Sequence, residues 1–105
     1  MKIYRNILEK TRWHVSGSNI PIQLGVKTVN SPIGSSHFHR TMHEYFLVLE
    51  GKICLSLEGK DVELDKGDLL IIDPCESHAM ISKSSDAKYV LLMPKAVPND
   101  KVETG

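Results

Sequence analysis

Two histidines one residue apart, His37 and His39, are followed by Glu44, and a third histidine, His78, lies much further along the chain. Neutral imidazole and carboxylate are ligand groups that divalent iron, manganese, nickel, cobalt and zinc accept. Four protein ligands on a six-coordinate ion leave two positions for water, dioxygen or a substrate. These residue types therefore predict a divalent transition-metal site that is catalytic in form.

The spacing of the four residues constrains the backbone that must carry them. If residues 37–39 are extended, His37 and His39 project from one face, because side chains alternate across a strand. Glu44 is an odd number of positions from both histidines and would face the other way on an unbroken strand. We therefore predict a bend at residues 40–43, and a closed barrel that brings His78 beside the other three.

Three neighbours of these residues are further candidates. His43 and Glu76 are candidate catalytic bases, or partners that hold a ligand in place, although a solvated turn position is the alternative for both. Cys75 is either a reactive thiol or a small apolar filler. The choice depends on access and electrostatic surroundings, which the sequence does not give.

Short strands are predicted to position these side chains. Apolar residues alternate with polar ones, or form short runs, between turn residues in segments 20–28, 44–50, 53–57, 62–64, 69–72, 78–82 and 89–93. No window after residue 15 has a helical period, and turn signals recur about every eight to ten residues, as in sandwiches and barrels. The sequence thus predicts an all-β fold.

The two ends of the chain are less regular. Residues 1–15 fit either a short helix around Ile7 and Leu8 or an extra strand around Trp13 and Val15. Residues 96–105 are polar and interrupted by proline, so we expect a loose C-terminal tail after one domain at 1–95. A length of 105 residues suits a single core.

Composition argues against several classes of partner. Lys plus Arg and Asp plus Glu both number 13, so no net charge attracts nucleic acid or acidic membranes. No apolar run has the length of a signal peptide or a membrane span. Cys54 and Cys75 form no CxxC pair, which fits a reducing compartment. We expect a cytoplasmic protein that binds neither nucleic acid nor membrane.

Two segments resemble the two motifs of the cupin family. The first, at 37–51, reads His37-Phe-His39, four residues, Glu44, six residues, Gly51. The second, at 67–82, reads Gly67-Asp68, nine residues, His78. The resemblance implies an antiparallel jelly-roll β-barrel with His37, His39, Glu44 and His78 as metal ligands. Departures from the family pattern, at Ser31, Asp73, Cys75 and Ser82, leave the four ligand positions intact.

The resemblance leaves three classes of function open. The first is a metal-dependent enzyme on a small organic molecule, of dioxygenase, decarboxylase or isomerase type. The second is a non-catalytic sensor that binds a small molecule or sugar. The third is a metal-independent sugar epimerase or isomerase, which would not need the complete three-histidine, one-glutamate set. We favour the first class.

Assembly follows from the small size of the predicted barrel. A barrel of about 100 residues has a limited core and exposed sheet edges that need cover. The strand at Ile20 to Thr28 and the apolar run at Tyr89 to Met93 offer surfaces for a two-fold partner. We expect a homodimer, an assembly that is also common among cupins.

Overall fold

The computed structural model describes residues 1, 3–6, 13–15, 22–94, 97 and 99–104. Within these ranges the chain forms ten β-strands and no helix, which confirms the all-β prediction. The strands are β1 Trp13–Val15, β2 Gln23–Thr28, β3 His37–His39, β4 Glu44–Glu50, β5 Lys52–Leu57, β6 Lys60–Asp65, β7 Leu69–Ile72, β8 His78–Lys83, β9 Lys88–Met93 and β10 Lys101–Glu103. At the N-terminus, Trp13 and Val15 lie in a strand, whereas the helix considered around Ile7 and Leu8 falls outside the described residues.

The strands form two antiparallel sheets of five strands each. The first sheet has the order β1-β2-β9-β4-β7, and the second has the order β10-β3-β8-β5-β6. Neighbours in each sheet are mostly distant in sequence, which is the jelly-roll arrangement that the motifs implied. None of the described residues forms a helix long and apolar enough to cross a membrane.

The hydrophobic core fills the space between the sheets. Val48 of β4 and Ile53 and Leu55 of β5 are almost completely buried, and the rings of Phe46 and Tyr89 stack at a centroid distance of 5.9 Å. These alternating positions bury one face of each strand, as the sequence period predicted. Phe46, Leu55 and Tyr89 also line a cavity, so the core is continuous with the candidate site.

The β4–β5 turn depends on a glycine. Gly51 has a φ of 69°, which is a left-handed backbone conformation that residues with a side chain rarely adopt. A Cβ at this position would collide with the side chains of Ser84 and Asp86. Glycine is therefore required both by the backbone conformation and by the close approach of the β8–β9 turn.

The C-terminal segment differs from its prediction. Instead of a loose tail, residues 101–103 form β10, which pairs with β3 so that Lys101 lies opposite His39 and Glu103 opposite His37. The amide of Thr104 also donates to the Ser36 carbonyl at 2.9 Å. The loose-tail prediction is wrong for these residues, because backbone pairing with a distant strand orders a segment that is too short and polar to order itself.

Candidate metal centre

Strand ends from both sheets converge on the four candidate ligands. His37 and His39 lie on β3, His78 begins β8 directly opposite His37, and Glu44 begins β4 in the other sheet. One ligand atom of each residue lies within 4.8 Å of the others. The structure therefore brings together all four residues that the sequence selected.

A bend between β3 and β4 turns Glu44 towards the histidines, as the odd spacing predicted. The bend is held by Asp100, whose buried carboxylate accepts bonds from the Met42 amide at 3.0 Å and the Thr41 hydroxyl at 2.7 Å. Both carboxylate oxygens also accept from the Thr41 amide, at 3.0 and 3.2 Å. Sequence reasoning missed this supporting role of Asp100, because the residue lies in the segment expected to be loose.

Backbone carbonyls orient two of the imidazole rings. The Nδ1 atom of His37 is 2.9 Å from the Ser35 carbonyl oxygen, and that of His78 is 3.1 Å from the Glu76 carbonyl oxygen. Since a carbonyl only accepts, Nδ1 carries the proton in both rings and the Nε2 lone pair is available for a metal. The Nδ1 of His39 faces the Asp100 carboxylate at 3.9 Å, beyond hydrogen-bonding distance.

The polar atoms at the centre of the cluster lack ordinary partners. Glu44 Oε2 lies 2.6 Å from His78 Nε2 and 3.5 Å from His39 Nε2, but neither contact has hydrogen-bond alignment. The side chains of His39, Glu44 and His78 are only 3–7% exposed. Buried polar atoms without partners are costly, and a shared cation would satisfy both the lone pairs and the charge. The donor set and its orphaned atoms therefore fit a divalent transition metal.

Burial and neighbouring charges tune the three histidines differently. Burial lowers the pKa of His37 and His39, and this effect outweighs the opposing pull of the Ser35 carbonyl on the former and of Glu44 on the latter. Burial also acts to lower the pKa of His78, but the contact with Glu44 more than offsets it, so the net shift is upward. His37 and His39 are thus neutral near pH 7, which is the form that binds metal.

The cluster opens into a cavity of about 570 Å³ between the sheets. This size suits a small organic molecule. Its apolar wall residues come from inward-facing positions of β4, β5, β8 and β9 together with the bend, namely Met42, Phe46, Leu55, Met80, Leu91 and Met93. Gln23, Lys27, Asn99 and Lys101 add polar groups.

The other candidates from the sequence lie away from this cavity. His43 is about half exposed, with its Nε2 atom 3.5 Å from a carboxylate oxygen of Asp73. The carboxylate of Glu76 accepts from the Asp73 amide at 2.7 Å. Cys75 is exposed, has a φ of 69°, and donates its amide to the His39 carbonyl at 2.7 Å. His43, Cys75 and Glu76 are not among the described residues that line the cavity.

Two five-stranded antiparallel sheets with three histidines and one glutamate between them define a jelly roll whose His37, His39, Glu44 and His78 cluster could hold a metal ion. The family model for the cupin domain matches residues 28–94, which is more than half of the chain. The protein therefore belongs to the cupin family, as the two motifs predicted. No curated protein matches the sequence.

Solved structures share the fold at low sequence identity. An uncharacterized conserved protein with a double-stranded beta-helix domain from Klebsiella pneumoniae has a TM-score of 0.74 and 14% identity, over 100% of this chain and 99% of that one. KdgF from Halomonas sp. has a TM-score of 0.67 and 16% identity, over 84% and 79%. The oxalate decarboxylase of Lactobacillus farciminis has a TM-score of 0.61 and 10% identity, over 79% and 26%. At these identities, the likeness concerns the fold alone.

Proposed function

We propose that this protein is a metal-dependent enzyme that acts on a small organic molecule at the His37, His39, Glu44 and His78 centre. The observation that carries the proposal is the group of buried, unpartnered ligand atoms at the end of a cavity. Iron, manganese, nickel, cobalt and zinc all accept this donor set. Decarboxylase, dioxygenase and isomerase reactions are the classes we consider, and the likeness in fold to an oxalate decarboxylase is compatible with the first.

A bound metal would supply Lewis acidity to a substrate oxygen at this centre. The protein contributes the positions of the ligands, since the Ser35 and Glu76 carbonyls fix two rings and Asp100 fixes the bend before Glu44. The carboxylate of Glu44 would supply negative charge that offsets part of the ion's charge.

Proton transfer in such an enzyme needs a group that reaches the substrate. Burial raises the pKa of Tyr89 to about 12, so its phenol stays protonated and can donate but not abstract a proton at neutral pH. His43 and Glu76 stay candidate bases in this proposal. Either side chain would have to leave its surface contact with Asp73 in order to take a proton from a substrate in the cavity. A metal-bound hydroxide is the third candidate base.

Elemental analysis of protein purified without added metal tests the proposal directly. The Glu44→Ala and His78→Ala variants remove candidate ligands, and His43→Ala is the matched control because it removes an exposed histidine beside the cluster. We expect about one equivalent of metal in the wild type and the control, and almost none in the ligand variants. Equal metal content in all four proteins would refute the proposed centre.

A binding module without catalysis is the second candidate function. The observation that favours it is that both carboxylates lining the described cavity, Glu44 and Asp100, already contact cluster or bend residues. The two functions differ in turnover. Saturable binding of a small molecule with no chemical change over many hours, in fully metallated protein, would select the binding module.

A further inference from the structure

The first sheet is apolar on the face that points away from the core. Phe46, Leu70 and Leu91 pack in or against the core, so the residues on either side of them along β4, β7 and β9 face outwards. The register of the strands aligns these outward residues in two rows, which are Leu92, Tyr45 and Ile71, and Val90, Leu47 and Leu69. A sheet face that met only water would carry polar residues at such positions.

The second sheet shows what a solvated outer face looks like in the same chain. On β5, Ile53 and Leu55 are buried in the core, so Cys54 and Ser56 face outwards. Their cross-strand neighbours on β6 and β8 are Glu63, Ser82, Asp61 and Ala79. The outer face of the second sheet is thus small and polar at these positions, whereas that of the first sheet is apolar across three strands.

Exposure of this apolar outer face rises from β2 towards β7. Val26 on β2 is completely buried, whereas Leu47 on β4 is 38% exposed, and Ile71 and Leu69 on β7 are 48% and 56% exposed. β7 is also the last strand of its sheet, and its sequence Leu-Leu-Ile-Ile has no charge or proline to discourage another chain. By contrast β6, the last strand of the second sheet, is charged at four of its six positions. The part of the face that needs cover is therefore centred on β4 and β7.

The area and the charges of this face fit a second copy of the chain. Three strands that are about 4.8 Å apart and up to about 20 Å long present roughly 300 Å² in projection. That is less than the ~800 Å² per partner of a standard interface, so polar residues around the face must contribute to a dimer of moderate affinity. Both ends of the face offer such residues without a cluster of like charge, namely Glu50 opposite Lys88 and His43 beside Asp73. The chain has 13 basic and 13 acidic residues, so two copies do not repel each other at long range.

We propose that two copies of the protein associate through the apolar outer faces of their first sheets, with Leu47, Leu69 and Ile71 at the centre of the interface. A two-fold axis brings the same face of both copies together, and two-fold homodimers are the commonest soluble oligomers. Apolar residues then lie at the centre and polar residues at the rim, as in homodimer interfaces generally. The interface is centred on β4 and β7, whereas the sequence alone suggested β2 and β9.

Sedimentation velocity of the full chain at increasing concentration tests this interface. Ile71→Lys places a charge at its centre in both copies, and Ile71→Thr keeps a branched side chain but removes part of the apolar surface. Ile81→Lys is the matched control, because Ile81 is 45% exposed, close to the 48% of Ile71, but lies on β8 of the other sheet. We expect a dimer dissociation constant of about 10 µM for the wild type and the control. It should rise at least about tenfold in Ile71→Lys and about threefold in Ile71→Thr.

Several outcomes would overturn the proposed interface. A wild type that stays monomeric up to about 200 µM would leave the face to a different partner. Ile71 variants that dimerise as tightly as the wild type, or an Ile81→Lys variant that dissociates as readily as Ile71→Lys, would contradict it as well. So would species that keep growing beyond the dimer, because a two-fold contact closes after two copies. Circular dichroism checks that each variant is folded, and Ile71→Thr decides the matter if Ile71→Lys does not fold. Metal content, measured on the same samples, tests the proposed centre independently of the dimer.

Discussion

Replacement of Asp100 should destabilise the fold and weaken metal binding together. In Asp100→Ala the buried amide of Met42 loses its acceptor, which costs about 1–3 kcal/mol. The two Thr41 donors can turn to water, so each contributes less, about 0.5–1.5 kcal/mol. We expect a total loss of about 4 kcal/mol in the free energy of unfolding, measured by urea denaturation.

The same substitution should loosen the bend that presents Glu44 to the histidines. We expect metal affinity to fall by about tenfold or more, as for other residues that orient ligands without binding the ion. Asp100→Asn keeps one acceptor oxygen and should lose less, and Asp61→Ala, which removes an exposed carboxylate on β6, is the control. If Asp100→Ala lowered stability but left metal affinity unchanged, Asp100 would support only the fold. If neither changed, the reasoning would be refuted.

Four further predictions follow from single features. Metal affinity should weaken as the pH falls. The first loss comes from protonation of His78, whose pKa is raised, and the second, at lower pH, from His37 and His39, whose pKa values are lowered. A metal dissociation constant that did not change between pH 5 and 8 would contradict this. Gly51→Ala should cost about 2 kcal/mol or more in thermal unfolding, because of its positive φ and the collision with the β8–β9 turn. Cys75→Gly should instead stabilise by about 1 kcal/mol, since it relieves a left-handed residue, and a lower melting temperature would count against that explanation. The homodimer remains a prediction, and sedimentation that finds only monomer at micromolar concentration would refute it.

The sequence predicted the parts of the fold that short-range pattern determines. Strand periods located most of the strands, and the odd spacing between His39 and Glu44 required the bend that the structure contains. The two motifs were sufficient to select the four residues that converge, because the ligands in this family occur at fixed spacings along the strands and turns that carry them. For these features, the local sequence pattern was sufficient to predict the structure.

What the sequence did not predict depends on long-range pairing. β10 is three residues long and has no apolar alternation, so its order comes entirely from β3, about sixty positions earlier. In β2 the period of two was correct, but periodicity does not tell which face meets the cavity. The apolar positions Leu24 and Val26 lie on the face opposite Gln23 and Lys27, so the polar residues line the cavity.

Glu44 belongs to one sheet, whereas His37, His39 and His78 belong to the other. An ion shared by all four would therefore cross-link the two sheets as well as take part in chemistry. Its removal should then lower the free energy of unfolding, because the ion binds the folded arrangement of both sheets and not the unfolded chain.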